Sequence, residues 1–549
     1  MKKTNGSIQM SLFDYEDKIE VIRRPMADYY NKKPAKLNDD LIDKLNTYNL
    51  DKYIEDVTNL GLEKTWDYIC EYVLKRGENK EFLNIANFGE MYEIGLAVQD
   101  KLQKKKSGQY YTPDDVASVM SNWLKKCNGE NVCDVACGTG KLILTYLDLI
   151  GEEETKKLIK SGRLYLYDFD HVALKICKTA IVVKYKIENP ELIHDIYCDF
   201  LDRAITLPEN AKVISNPPYA AIEKIEDYWI HSEVLMDTKE LYSSFMEKIF
   251  KQAVSTVIIT PFSFISGNKF YSLRKEMCEL GSGFVVSFDN VPGNIFCGRK
   301  HGVFNTNTAN SVRAAITVLN KSENKGFRIS PLIRFKNEER NRLLTTDVLE
   351  MTLPEDYQII DNKNDSFRKV FKELNSLYDL WVGKSQEKLI NYISKHETNY
   401  LIDMPNTCRY YTTASSRKLK RNGSITMYFK DEDVFNFIYC FINSSFTYWW
   451  WRIYDGGITY PVSLLNSMPL PFKLLSEDDK TFFASMCKEM MEKENEFIIT
   501  KANAGAVQEN IKFPDNYRQS INERIIKILC SDTNKDLFDL VHANKFFGD

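Results

Sequence analysis

Residues 131–140 read Asn-Val-Cys-Asp-Val-Ala-Cys-Gly-Thr-Gly, an apolar run around the acid Asp134 that ends in the glycine pair Gly138 and Gly140. Val132, Cys133 and Val135 have the continuous apolar character of a strand buried on both faces. Two glycines just past a strand let the backbone turn tightly and approach a ligand closely. A strand that runs through such a turn into a helical stretch is the opening unit of a doubly wound sheet. Further short apolar runs at 163–168, 196–200, 212–215, 256–260 and 284–289 recur between helix-length segments. Strands spaced in this way imply crossover connections, so the chain is predicted to be α/β, with a parallel, doubly wound, Rossmann-like domain from about 106 to 328.

Outside that region the pattern changes. From about residue 37 to 102, apolar residues such as Ile85, Phe88, Met91, Tyr92 and Gly95 recur at three- and four-residue steps. This predicts a helical N-terminal domain over 36–105, ending in the charged junction at 104–108. Residues 1–35 read as a tail, and residues 329–549 as a separate α+β domain in which helical segments mix with aromatic and basic sequence. The 549-residue length suits several domains with real cores, and 44% hydrophobic with 27% charged residues is an ordinary globular balance.

Composition also excludes some classes of function. The N-terminus lacks the apolar core of a secretory signal. The most apolar window, 434–451, is interrupted by Asn436, Asn443, Ser444 and Ser445, so no membrane span is expected. Twelve cysteines are scattered without paired CxxC spacing. They read as reduced thiols of a cytoplasmic protein, with no metal site. A formal charge of −4 does not suit a protein that coats nucleic acid uniformly, so any such contact must be local or shared with a partner subunit.

Three acids and one turn carry the candidate chemistry. The 138–140 turn lacks the Gly-Lys-Ser/Thr of a phosphate loop, because Lys141 is followed by Leu142, and the third glycine of a dinucleotide fingerprint is missing. A nucleoside without a phosphate chain fits best, with Asp134 accepting from a cationic amine and the backbone at Ala136, Gly138 and Gly140 against the ligand. Asp168, followed by Phe169, ends an apolar strand where such folds hold ribose hydroxyls. Asp199, followed by Phe200, ends the next predicted strand and could accept from an adenine amino group. Either acid could equally cap a helix.

The sharpest motif is Asn216-Pro217-Pro218-Tyr219 behind the apolar run 212–215. The amino nitrogen of adenine is a poor nucleophile because its lone pair is delocalised into the ring. The Asn216 side-chain oxygen and the Pro217 carbonyl can accept its two hydrogens and make it more tetrahedral, while the prolines hold the backbone extended and Tyr219 stacks on a flipped base.

Asn-Pro-Pro-Tyr downstream of Asp-x-x-x-Gly-x-Gly resembles the amino-methyltransferases that act on N6 of adenine in DNA. Residues 108–113, ending in Tyr111, Thr112 and Pro113, are similar to the motif these enzymes place ahead of the glycine turn, where it closes over the methionine part of the cofactor. That order resembles the gamma group, which includes modification subunits of type I restriction systems and many type II methylases. The resemblance covers about residues 107–320. It implies S-adenosylmethionine as cofactor, and Tyr111, Thr112, Pro113, Asp134, Ala136, Gly138, Gly140, Asp168, Phe169, Asp199 and Phe200 as its contacts. Catalysis would then fall to Asn216, Pro217, Pro218 and Tyr219. A second base-pocket aromatic is open between Phe296 and Phe304. The motif also occurs in enzymes that methylate protein glutamine or RNA, which leaves those substrates as alternatives.

The resemblance implies a target-recognition domain at 329–549. There, Arg409, Arg417, Lys418, Lys420 and Arg421, interleaved with tyrosines and serines, suit phosphate contacts to double-stranded DNA, although solvated surface is the alternative. Trp449, Trp450 and Trp451 cannot all face one way on a helix, which predicts core packing for at least two. Residues 9–13, Gln9-Met10-Ser11-Leu12-Phe13, resemble the pentapeptide that docks bacterial proteins on the sliding clamp. A restriction or specificity subunit is a further candidate partner.

Overall fold

The computed structural model describes residues 45–79, 82–99, 112–221, 232–296, 312–363, 365–503, 506–530 and 536–547. The chain divides into two compact units, residues 1–106 with 133–205, and residues 107–132 with 206–549.

The first unit begins with helices α1 (Leu50–Leu60), α2 (Leu62–Arg76) and α3 (Phe88–Gln99). Asn49 starts α1 by accepting from the Lys52 amide, a side-chain N-cap. Trp66 is fully buried, with its ring edge-on to Phe88 at 5.3 Å and to Tyr53 at 6.1 Å. The expected stripe of Ile85, Phe88, Met91 and Tyr92 faces this core. Gly95 belongs to it for a steric reason: a Cβ there would lie 2.3 Å from Leu62 and 2.4 Å from the Tyr53 hydroxyl.

Chain order then gives α4 (Asp114–Lys126), which belongs to the second unit, and β1 (Asn131–Val135), α5 (Lys141–Ile150), α6 (Glu152–Lys160), β2 (Leu164–Asp168), α7 (His171–Tyr185) and β3 (Ile193–Tyr197). These strands follow the order β3-β2-β1, with β2 and β3 parallel, and α7 is the crossover between them. Val172, Ala173, Ile176 and Ala180 of α7 pack into the aromatic core of the N-terminal helices. The third strand starts earlier than expected and stops at Tyr197, because a helical turn at Pro190–Leu192 feeds straight into it.

The second unit contains β4 (Ala211–Ser215), α8 (Leu241–Gln252), β5 (Ser255–Pro261), α9 (Tyr271–Leu280), β6 (Gly281–Phe288), β7 (Ala314–Lys321) and β8 (Gly326–Ile333). Their order is β4-β5-β7-β6-β8. β4 and β5 are parallel, β7 runs antiparallel to both of its neighbours, and β6 is parallel to β8. The α/β class with parallel strands is as predicted. β7 and β8 were not anticipated, and the expected boundary at 328/329 falls inside β8. Gly283 lets β6 close on β7, since a Cβ there would lie 1.9 Å from the Val318 carbonyl oxygen.

Beyond β8 lie α10 (Asn375–Lys384), the antiparallel pair β9 (Tyr400–Pro405) and β10 (Ser424–Phe429), and helices α11 (Glu432–Asn443), α12 (Ser445–Tyr454), α13 (Glu477–Lys493) and α14 (Asp515–Leu529). All three adjacent tryptophans of α12 are buried, because this helix is covered on every side. Trp449 stacks on Trp381 at 5.8 Å, and Trp450 and Trp451 donate their indole N–H groups to the carbonyls of Leu464 and Thr459. Asp289, just past β6, accepts from Arg313 and Arg334 at 2.8 and 2.7 Å, and from Arg452 of α12 at 3.2 Å. Burial pushes its carboxyl up, and Arg452, Arg334 and Arg313 more than reverse that, leaving it below the ordinary range. Every cysteine among the described residues is a free thiol. No described helix is long and apolar enough to cross a membrane.

Candidate active site

In the first unit, β1 delivers Asp134 fully buried to the start of α5. Its Oδ2 accepts from the Ile143 amide at 3.1 Å, while Oδ1 is buried without a hydrogen-bond partner among the described residues. Burial, then the neighbouring Asp168 charge, push this carboxyl far above its usual range.

The turn that follows has left-handed backbone at Ala136, Gly138 and Gly140, with φ of 61°, 52° and 91°. For the alanine this is strained, and strain of this kind persists only where neighbours enforce it. Here the Cys137 amide donates to the Tyr167 carbonyl at 3.1 Å and the Gly138 amide to Asp168 Oδ2 at 2.6 Å. At Gly140 a Cβ would sit 2.5 Å from Cys177 Sγ of α7, so this glycine also permits close helix packing. At Gly138 a Cβ would meet no described atom within 4 Å, which marks the open side of the turn.

Asp168 ends β2, and its Oδ1 accepts from the Asp170 amide at 2.8 Å. Burial and the Asp170 charge push its carboxyl up to about 7. A carboxylate has about four acceptor positions, so the amides of Gly138, Phe169 and Asp170 still leave capacity for a hydroxyl donor. Phe169 is 64% exposed, with the Tyr197 ring 6.4 Å away. An orphaned buried oxygen, an open glycine and an exposed aromatic fit a nucleoside with a cationic tail, the chemistry of S-adenosylmethionine.

Two expected contacts, Asp199 and Phe200, have partners within the protein. Asp199 stands beyond β3 and accepts from the Leu201 amide at 3.0 Å within a turn, with no helix following for it to cap. Phe200 is buried, edge-on to Tyr167 at 5.6 Å, so its ring belongs to the core. Asp170 went unassigned in the sequence. It caps α7 through the Val172 and Ala173 amides and accepts from the Tyr92 hydroxyl. An acid immediately before an apolar-periodic helix was the available signal.

In the second unit, β4 ends at Ser215 and hands the chain to Asn216, Pro217, Pro218 and Tyr219. Asn216 Nδ2 donates to Thr112 Oγ1 at 3.0 Å. Thr112 and Pro113 lead directly into α4, and Tyr111 lies outside the described residues, as do Phe304 and residues 9–13. An amide held by its nitrogen turns its oxygen away from Thr112, and in this arrangement Asn216 Oδ1 is the atom left to face other groups. Pro217 is buried, and Pro218 and Tyr219 are half-buried. The Tyr219 hydroxyl donates to the Ile259 carbonyl of β5 at 3.1 Å, which fixes the ring. Phe296 stands edge-on to that ring at 5.9 Å, and Tyr242 does so at 6.4 Å. Phe296, one of the two candidate aromatics, is placed beside Tyr219, while Phe304 lies outside the described residues.

The basic residues of 409–421 separate. Arg409, Arg417, Lys418 and Lys420 are exposed. Arg417 bonds Asn495, and Lys418 lies over the Tyr428 ring at 6.0 Å. Arg421 departs from the expectation: its side chain is 3% exposed, paired with Asp403 and donating to Asn510 at 3.0 Å. A buried carboxylate at position 403 requires a buried cation, and that need overrides surface display.

Residues 84–388 match the family model described as N-6 DNA Methylase. The type I restriction enzyme MpnII methylase subunit of Mycoplasma pneumoniae is 22% identical over 58% of this chain and 62% of its own length. The type II methyltransferase M.VspI of a Vibrio species is 30% identical over 25% of this chain and 32% of its own length. A solved DrdV–DNA complex is 12% identical, with a TM-score of 0.45 over 80% of this chain and 66% of the other. The chain thus spans less than two thirds of the length of these relatives.

Proposed function

Because the chain belongs to the N-6 DNA Methylase family, we propose that it transfers a methyl group from S-adenosylmethionine to N6 of a flipped adenine in duplex DNA, within a restriction-modification or phage-defence system in the cytoplasm. What carries this is the anchored amide: Asn216, held by Thr112 at 3.0 Å, follows β4 beside an aromatic pair made by Tyr219 and Phe296.

When bound, the cofactor supplies an electrophilic methyl on a sulfonium centre. Asp134 would accept from its amine, Asp168 from its ribose hydroxyls, and Phe169 would cover its base. Tyr111, Thr112 and Pro113 would hold its methionine part, as the family resemblance implies, and the backbone at Ala136, Gly138 and Gly140 would let it approach. Asn216 Oδ1 and the Pro217 carbonyl accept the two amino hydrogens of adenine, which returns electron density to the nitrogen. These are acceptors set before reaction, so they need no reorganisation as charge develops. Pro218 stiffens the backbone, and Tyr219 with Phe296 holds the base after it leaves the stack.

In this reading the catalytic domain runs from 106 to the end of β8, a little beyond the expected 328, the target-recognition domain follows to 549, and 36–105 is helical support. Arg409, Arg417, Lys418 and Lys420 contact phosphates. Gln9, Leu12 and Phe13 dock on a sliding clamp, and a restriction or specificity subunit completes the assembly. The chain is to be expressed in a host free of adenine methylation and its genome sequenced for N6-methyladenine. A sequence-specific set of modified adenines is expected. Radiolabelled methyl entering RNA or protein but not duplex DNA would refute the proposal.

A further inference from the structure

Arg340 lies outside every motif that suggested chemistry, yet it is 2% exposed and bonds groups from two separate parts of the second unit. Its guanidinium forms a two-bond fork with the Asp115 carboxylate, one bond running from Nη2 to Oδ1 at 2.8 Å and the other from Nε to Oδ2. Nη1 donates to the Asn294 carbonyl at 2.8 Å, and Nη2 also donates to the Ile295 carbonyl at 2.6 Å.

These partners stand next to the two walls of the proposed base pocket. Asp115 is in the first turn of α4, three residues past Thr112, whose hydroxyl holds the Asn216 amide. Ile295 immediately precedes Phe296, whose ring meets Tyr219, and the Phe296 amide is itself held by Asn294 Oδ1 at 2.9 Å. Arg340, Asp115, Thr112, Asn216, Tyr219, Phe296 and the 294–295 backbone thus form a closed circuit, in which the guanidinium joins Asp115 to the 294–295 backbone and the Tyr219–Phe296 contact closes the other side. A planar fork can bind a carboxylate along one edge and two carbonyls along the other, whereas the single ammonium of lysine cannot span both.

We propose that Arg340 is a positioning residue that fixes Phe296 relative to Asn216, setting the width of the slot that receives the flipped base. This rests on the methyltransfer reading above. The arginine touches neither base nor cofactor. It acts by holding the aromatic wall against the wall that carries the amide.

The test compares wild type with Arg340→Lys, which keeps the charge, and with Asp115→Asn, which weakens the fork from the other side. Three readouts are needed: methyl-donor binding by calorimetry, kcat and KM for tritiated methyl transfer to unmethylated duplex DNA, and 2-aminopurine fluorescence at a target adenine mapped with the wild type. Misplacing a reacting group by about 1 Å can cost about 100-fold in rate. The expected result for both variants is therefore a kcat lowered by about that factor, a reduced flipping signal, and donor affinity within about twofold of wild type. Wild-type kcat in Arg340→Lys would overturn the proposal, as would an equal loss of donor binding in both variants. Failure of the wild type to methylate duplex DNA would instead overturn the functional reading itself.

Discussion

Replacing Thr112 by valine removes the hydroxyl that accepts from Asn216 Nδ2 at 3.0 Å while preserving side-chain shape. Thr112 is buried and Asn216 half-buried, so the amide nitrogen loses a partner that water does not readily replace. Such a loss costs about 1–3 kcal/mol. If it is felt when the amide must present its oxygen to the reacting amino group, kcat falls by about 5- to 150-fold. Asn216→Ala removes the acceptor itself, and the loss of one preorganised transition-state contact is worth about 10²–10³ in kcat. Thr112 acts through Asn216 in this scheme, so the two losses are not additive. Thr112→Val on an Asn216→Ala background is expected to change the rate by less than about twofold. The assay is single-turnover transfer of tritiated methyl to duplex DNA, with donor binding measured separately by calorimetry and expected to be unaffected by Asn216→Ala. Equal effects of Thr112→Val in both backgrounds would refute the reasoning, because the hydroxyl would then act independently of the amide.

Asp168 yields a pH prediction. Its folded pKa of about 7 lies above the ordinary aspartate value, so its contribution to stability is full below about pH 4 and lost as pH rises through 7. Wild type should lose melting temperature relative to Asp168→Asn between pH 5 and 8, and methyl-donor affinity, which needs the ionised carboxylate, should weaken about tenfold per unit below pH 7 in calorimetry. Arg421→Ala breaks a buried pair with Asp403 and should cost about 3–5 kcal/mol in urea unfolding, whereas Lys418→Ala and Lys420→Ala leave stability unchanged and reduce the salt dependence of DNA affinity. Gly138→Ala and Gly140→Ala both meet left-handed backbone strain of about 1–3 kcal/mol, but only at 140 does the new Cβ strike Cys177, so Gly140→Ala should unfold at distinctly lower urea.

Much of the first unit and of the pocket motif was legible because its signals are local. The 131–140 run, the apolar strand ending at Asp168, and Asn216 to Tyr219 each combine strand periodicity with turn chemistry inside a few residues. The missed strand β7 illustrates the limit. It follows a polar stretch, and its place between β5 and β6 depends on partners more than 25 residues away. Arg421 shows the same limit for charge, since a basic run looks alike whether its members face solvent or an aspartate such as Asp403.

From the chain by itself came the α/β class, the glycine turn, the acid Asp168 that closes β2 and the Asn-Pro-Pro-Tyr motif. Only the tertiary structure decided that Phe296 meets Tyr219, that Phe200 is core, and that Arg340 joins Asp115 to the 294–295 backbone. Backbone periodicity and turn stereochemistry are set by neighbours in sequence. Burial, ion pairing and ring contacts are set by whatever the fold brings alongside, and at these positions that is chain more than 30 residues away.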